Sequence, residues 1–322
     1  MIWNEKLLED NYALERVIGC GGAGIVVAAR HKRLGLRVAL KFLRPDRPRA
    51  ADVVKRFVRE GQLTARIQNA HVTRMLDIGR LPDGEPFLVM EYLEGCDLAA
   101  LLEARGPLAC GEAVAYVRQA CVGLTASHAV GIIHRDLKPS NLFLTLAPNG
   151  APLLKILDFG IAEQLANTST SPDANTQQLT VNPSDMGSPP FVAPEQLRAE
   201  RHADPKSDLW ALGAALFTLL AGRSPFERPY LSETYLAILS GRVPDLTALR
   251  PEIGRPLAAI VERCLAADPE QRFASAAELN AALAPFASEQ PRIAAPRAGR
   301  ARPARDSRSK SSLNSASGLA VR

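Results

Sequence analysis

His134-Arg135-Asp136-Leu137-Lys138-Pro139-Ser140-Asn141 is followed, seventeen residues after Asn141, by Asp158-Phe159-Gly160. These two strings put an acid, an amine, an amide and a second acid into one short region of chain. Phosphoryl transfer needs that set: an acceptor for a hydroxyl proton, a cation for the moving phosphate and oxygen ligands for a divalent metal. A lone His-Arg-Asp carries little weight, because such tripeptides arise by chance. The plain alternative is a solvated charged loop before an apolar strand. The eight-residue string with Asp-Phe-Gly at this spacing is far more specific. Asp136 is the candidate proton acceptor and Lys138 the candidate for neutralising phosphoryl charge. Asn141 and Asp158 are the candidate ligands for Mg²⁺, with Mn²⁺ as the alternative ion. His134 and Phe159 read as packing residues that hold the loop in place.

Upstream, Gly19-Cys20-Gly21-Gly22-Ala23-Gly24-Ile25-Val26 fits G-x-G-x-x-G-x-V. Glycines there let backbone N–H groups approach phosphate oxygens with no Cβ in the way. The pattern also marks dinucleotide sites, where the glycines open a helix. Here "GIVVAA" follows, and its β-branched residues favour a hairpin. Val38-Ala39-Leu40-Lys41 reads as an apolar strand ending in one amine. Such a lysine is an edge residue or a phosphate ligand, and its place seventeen residues after Gly24 favours the second. A buried amine needs a counter-charge to stay protonated. Glu60, on the amphipathic stretch "ADVVKRFVREGQLTARI", is the natural one.

Working outward, residues 1–11 are a short lead-in and residues 12–91 read as strands with one helix. After Gly95 the pattern becomes helical. "EAVAYVRQACVGLTASHAVG" reads as a helix closed by Gly131. "SDLWALGAALFTLLAG" is apolar nearly all round, hence buried, with Ser207 as the expected N-cap and Gly222 at its end. "LAAIVERCLAAD" and "SAAELNAALAPF" read as further helices. The expected architecture is α+β and two-lobed, with a small β-rich lobe at about 12–91 and a larger helical lobe at about 95–286. No internal repeat is visible. Residues 164–186 are polar and rich in Ser, Thr and Asn, and a loop of that length is usually functional or disordered.

Bulk composition agrees with a globular chain. Of 322 residues, 47% are hydrophobic and 23% charged. No apolar run approaches the roughly 20 residues of a membrane span, and the N-terminus lacks a secretory pattern. The five cysteines are not spaced as metal ligands and read as free thiols in a reducing compartment, so a cytoplasmic setting is expected. The net charge is +5. Residues 287–322 hold eight basic against two acidic residues, a surplus of six that leaves the body at −1. That tail is too polar to order itself. It reads as a linker, a contact for acidic partners or anionic lipid, or a lead to a further domain. It lacks the aromatic residues that would stack on nucleic-acid bases.

The ordered set of motifs resembles the protein kinases, and most closely the eukaryotic-type Ser/Thr kinases of bacteria. The resemblance covers residues 12–286. It extends to Ala193-Pro194-Glu195, which closes the activation segment in that family, to Ser207–Gly213 in the helix supporting the catalytic loop, and to Arg272, which would pair with Glu195. It implies ATP in a cleft between the lobes. Gly19 to Gly24 would cover the phosphates, and Val26, Ala39 and Phe143 would sandwich the adenine. Met90 would sit behind the base, Glu91 to Leu93 would offer hinge backbone, and Asp97 would lie near the ribose. Lys41 with Glu60 would orient the phosphates. Lys138-Pro139-Ser140 resembles the Ser/Thr class. Implied partners are protein substrates and, for autophosphorylation in trans, a second copy of the chain. Arg135 would meet a phosphorylated activation loop, with Thr180 as the first candidate site and Ser184 as the second. Ala23 replaces the aromatic residue often found at the loop tip. Ser188 stands where threonine is commoner, and Asp158 to Glu195 is longer than usual. A small-molecule kinase and a silent scaffold are the competing readings.

Overall fold

Strands β1 (Tyr12–Gly21), β2 (Gly24–His31), β3 (Arg37–Phe42), β4 (Met75–Arg80) and β5 (Pro86–Glu91) form one antiparallel sheet in the order β1-β2-β3-β5-β4. The strand period of two gives this sheet two apolar faces. Val38, Leu40 and Phe42 join Tyr12, Val27, Ala29, Phe87 and Val89 in one buried cluster. Ala39 and Lys41, one step out of phase, point the other way. Helix α1 (Ala51–Thr64) packs against β5. Gly61 permits the close approach, since a Cβ there would meet Leu88 Cδ2 at 2.6 Å.

The computed structural model describes residues 11–21, 24–44, 51–159, 189–198 and 204–288. Gly22 and Ala23, the 164–186 segment with Thr180 and Ser184, Ser188, and the tail from residue 289 lie outside them.

The second lobe is built from α2 (Leu98–Arg105), α3 (Cys110–Ala129), α4 (Pro194–Leu197), α5 (Pro205–Ala221), α6 (Leu231–Ser240), α7 (Leu246–Leu249), α8 (Arg255–Cys264) and α9 (Ala276–Leu283). A small antiparallel sheet of β6 (Cys96–Asp97), β7 (Leu142–Leu146) and β8 (Pro152–Ile156) lies at the junction with the first lobe. Every residue of α5 from Ser207 to Leu220 is buried, so this helix is the axis of the lobe. It begins earlier than its apolar pattern suggests. Asp204, and not Ser207, is the N-cap, accepting from the Lys206 N–H with Pro205 in the first turn. Ser207 is drawn instead to Glu195, to which its hydroxyl donates at 2.9 Å. Gly222 ends the helix at φ 76°. Gly131, at φ 76°, follows α3 one residue past its last cap.

All five cysteines are unbridged. Ala287 and Ser288, grouped with the tail on composition, still contact the body: Ala287 packs on the core, and the Ser288 N–H donates to Gly111 O at 3.2 Å. No helix among the described residues is long and apolar enough to cross a membrane.

Candidate active site

The glycine-rich segment is a hairpin and not the start of a helix. Gly19 pairs with Val26, Cys20 with Ile25 and Gly21 with Gly24 across β1 and β2. Any Cβ at Gly24 would collide with the Phe42 carbonyl oxygen, so the last glycine lets β2 lie directly on β3. Cys20 is exposed on this hairpin. In the β2–β3 register Val26 faces Lys41, and between β3 and β5 Ala39 faces Met90. Val26, Ala39, Lys41 and Met90 therefore sit side by side on the small lobe.

Lys41 is 2% exposed. Its Nζ lies 3.1 Å from Glu60 Oε1 on α1 and 2.9 Å from Asp158 Oδ1, just beyond β8. Burial alone would depress this ammonium. The Asp158 and Glu60 carboxylates outweigh burial and hold its pKa above the ordinary lysine range. Burial likewise works against ionised Asp158, but Lys41 prevails and keeps that carboxyl below its usual value. Glu60 goes the other way. Burial raises it, Asp158 raises it further, and Lys41 only partly offsets them. Asp158 is the strong partner and keeps 38% of its side chain exposed.

The catalytic-loop candidates form a second cluster. Lys138 Nζ donates to Asp136 Oδ2 at 2.7 Å. Asn141 Nδ2 donates to the Asp136 backbone oxygen at 2.7 Å and to Oδ2 at 3.2 Å. Leu157 N–H donates to Asn141 O at 2.9 Å, which ties this loop to the residue before Asp158. The loop is anchored from below. Asp208 on α5, fully buried, accepts from the backbone N–H groups of His134 at 2.9 Å and Arg135 at 2.8 Å, and meets His128 Nε2 at 2.8 Å. Both nitrogens of His134 are occupied. Nε2 faces the Leu157 carbonyl at 2.8 Å and Nδ1 accepts from the Asp136 N–H at 3.3 Å. Its ring lies 4.8 Å from that of Phe159. His134 is thus a strut between the two loops.

Arg135 and Asp158 are the non-glycine residues with positive φ, at 71° and 43°, among those described. Such backbone costs on the order of 1–3 kcal/mol per residue and persists only where surroundings impose it. Here the Asp208 acceptors and the Lys41 ion pair do so.

The remaining expected residues fall around this centre. Phe143 pairs with Asp97 across β6–β7, and its ring edge lies close over Gly95. Asp97 caps α2, accepting from Ala100 N–H at 2.8 Å, a structural role not visible in its spacing. Leu93 lies half-buried between the lobes. The Glu91 side chain accepts from the Arg74 N–H and from Lys155, which sequence patterns did not flag. Asp208 lies in the Ser207–Gly213 motif read from the sequence, though not singled out there as the residue that anchors the loop. One charged residue in a run buried on all sides was the available signal, since such a charge must find partners.

The donor set suits a hard divalent cation. Among the described residues no donor reaches the Asn141 amide oxygen, and Asp158 spends one carboxylate oxygen on Lys41. Two oxygen donors on adjoining loops match magnesium, which takes few protein ligands and keeps the rest for water and phosphate. Among the described residues no cluster of three or more His, Cys, Asp or Glu exists that would form a closed metal cage.

Beside Lys138, Pro139 and Ser140 a cavity of about 370 Å³ opens toward α2 (Ala99, Leu102, Glu103), Phe191, Thr218 and Gly222. In the same lobe Glu195 and Arg272 form a bidentate pair at 2.7 and 2.8 Å. Arg272 is 2% exposed and lies 5.0 Å over the Trp210 ring. Glu195→Gln should cost about 3–5 kcal/mol of stability, because it leaves a buried guanidinium without its charge. Thermal unfolding should show a fall of roughly 6–20 °C. Burial works against ionised Glu195, but Arg272 holds its carboxyl below the usual range. The pair's contribution is therefore complete above about pH 4.3 and disappears as pH falls through the lower folded value. The variant should lack this acid-side loss.

A family model described as protein kinase domain matches residues 12–283. Serine/threonine-protein kinase Pkn1 of Myxococcus xanthus is 36% identical over 285 residues, covering 88% of this chain and 39% of that protein. Serine/threonine-protein kinase PknB of Mycolicibacterium smegmatis is 36% identical over 281 residues, covering 86% of this chain and 43% of that protein. The chain therefore spans less than half the length of either relative. Among solved structures, the PknI kinase domain of Mycobacterium tuberculosis aligns with a TM-score of 0.64 at 28% identity, covering 86% of this chain and 96% of that one.

Proposed function

Because the chain belongs to the protein kinase family, we propose that it transfers the γ-phosphate of ATP to serine or threonine hydroxyls of protein substrates. The observation that carries this reading is the contact of Lys41, from the small lobe, with Asp158, from the large one, beside a loop that presents Asp136 and Lys138.

The geometry supports a role for each residue. Lys41, kept charged by two carboxylates, is placed to hold phosphate oxygens. Asn141 and Asp158 would hold Mg²⁺, or Mn²⁺ in its place, and the ion would supply positive charge against the charge developing on the phosphate. Asp136 takes the proton of the incoming hydroxyl, its carboxylate oriented through Oδ2 by Lys138 and Asn141. Lys138, two residues on, is close enough to turn toward negative charge on the transferred group. Gly19, Cys20, Gly21 and Gly24 would belong to the lid, with Gly22 and Ala23 assigned to it by sequence alone, and Val26, Ala39, Met90, Leu93 and Phe143 would form the apolar seat for adenine.

A protein acceptor is favoured over a small molecule by the cavity beside Lys138 and by the buried Glu195–Arg272 pair that braces the segment after Phe191. Radiolabel from [γ-³²P]ATP should appear in protein acceptors and not in sugars or aminoglycosides; the opposite pattern overturns the choice of acceptor. Autophosphorylation at Thr180 or Ser184, in trans between two copies, belongs to the same proposal. After incubation with Mg-ATP, phosphopeptide mapping should find phosphate between residues 164 and 188, and its absence there would remove this part. Five unbridged thiols suit a reducing cytoplasm, and the basic tail suits acidic partners or anionic lipid.

A further inference from the structure

We propose that Lys155 is a positioning residue for adenine, clamping the interlobe segment at Glu91 to the floor of the nucleotide site. The assignment rests on reading residues 91–93 as the backbone that receives the base.

Three segments meet at this clamp. Lys155 Nζ donates to Glu91 Oε1 at 2.7 Å and lies 3.4 Å from the Val72 carbonyl oxygen. The same Glu91 oxygen accepts from the Arg74 N–H at 2.7 Å, and the Glu91 N–H returns a bond to Arg74 O at 3.0 Å. Residues 71–74 run along β8: Ile156 N–H donates to His71 O at 2.8 Å, and Thr73 N–H donates to Ile156 O at 3.0 Å. Glu91 ends β5 and leads into the interlobe connection, whereas Lys155 belongs to the sheet of the large lobe. One charge pair, with Lys155 only 8% exposed, therefore fixes where one lobe's last strand meets the other lobe's first sheet.

The register gives this pair a role beyond holding the lobes together. Directly opposed residues of an antiparallel pair share a face. Phe143 opposes Asp97 on one side and Lys155 on the other. Leu142, Leu144, Leu154 and Ile156 form the alternate row and are buried in the large-lobe core. Asp97, Phe143 and Lys155 thus make one row on the face opposite that core. The residue expected beneath the base and the residue gripping the interlobe segment are neighbours in it. Lys155 sets the spacing between them, and that spacing is the slot for adenine.

Adenine lies at the far end of the nucleotide from the reacting phosphate. A residue that shapes its slot contributes equally to ground and transition states, so its loss raises KM without lowering kcat. Lys155→Met in the full chain should raise KM for ATP by about five- to tenfold, the scale of one net hydrogen bond. The kcat at saturating ATP should stay within about twofold. Adenosine, which has no phosphates, should lose inhibitory potency by the same factor as ATP loses affinity. Lys155→Arg should restore both. Lys155→Gln, which keeps a hydrogen bond to Glu91 without the charge, carries the test if Lys155→Met does not fold. Unchanged KM and adenosine inhibition in a folded variant would overturn the clamp. So would a fall in kcat alone, or a rise in KM with adenosine inhibition untouched. Wild-type protein that binds neither ATP nor adenosine would instead refute the underlying nucleotide-site reading.

Discussion

Asp136→Asn should leave magnesium-nucleotide affinity unchanged and lower the rate of phosphoryl transfer by about 10²–10⁴-fold. That range corresponds to roughly 3–5 kcal/mol of transition-state stabilisation. The side chains are nearly the same shape, and Asn can still accept from Lys138 Nζ, so the loop geometry survives. What is lost is the group that takes the hydroxyl proton. Asp136 and Lys138 keep 23% and 20% of their side chains exposed, so thermal stability should hardly move. Single-turnover rates beside equilibrium nucleotide binding separate the two effects. A variant that transfers phosphate at the wild-type rate would show that Asp136 is not the proton acceptor.

Lys41→Met should reduce transfer by about 10²–10³-fold, the scale for removing one preorganised electrostatic donor. It should also act on stability with a pH signature that Asp136→Asn lacks. The substitution leaves Glu60, 5% exposed, without its cation. Burial already holds the Glu60 carboxyl above its ordinary value, and losing Lys41 removes what opposes that shift. A carboxyl whose folded pKa is raised binds more protons folded than unfolded. Its favourable contribution is complete below about pH 4.3 and is lost as pH rises through the folded value. Lys41→Met should therefore be destabilised more at pH 8 than at pH 5.5 relative to wild type. Asp158, which Lys41 also holds low against burial, gains the same tendency, so Glu60→Gln in the same background should reduce the difference, and a pH-independent loss would refute the electrostatic origin. Denaturant unfolding at the two pH values makes the comparison.

The architecture was legible because its signals are local. Alternating apolar residues around Val38–Phe42, β-branched residues after Gly24 and a nearly all-apolar run at Leu209–Leu220 each report a short-range rule. The charged strings at 134–141 and 158–160 carry their meaning in spacing, which a sequence displays directly. Long-range contacts are what the sequence conceals. Ser207 is a good capping residue by type, yet Glu195, distant in the chain, takes its hydroxyl, and Asp204 caps instead. Asp208 shows as an oddity in an apolar helix, but nothing local names the His134 and Arg135 amides as its partners. Lys155 looks like an ordinary strand lysine until folding brings Glu91 to it across 64 residues. Gly61 reads as a weakness in α1, and only the packing against Leu88 shows why a smaller residue belongs there.

The most direct test of the bond between lobes is transfer of label from [γ-³²P]ATP into protein by the wild-type chain, with magnesium and with chelator, beside Lys41→Met. Label should enter protein only in the wild-type reaction with magnesium, leaving the variant and the chelated sample near background. Equal labelling by wild type and Lys41→Met, or none by wild type despite a folded chain and added metal, would contradict a phosphoryl-transfer centre built on Lys41 and Asp158.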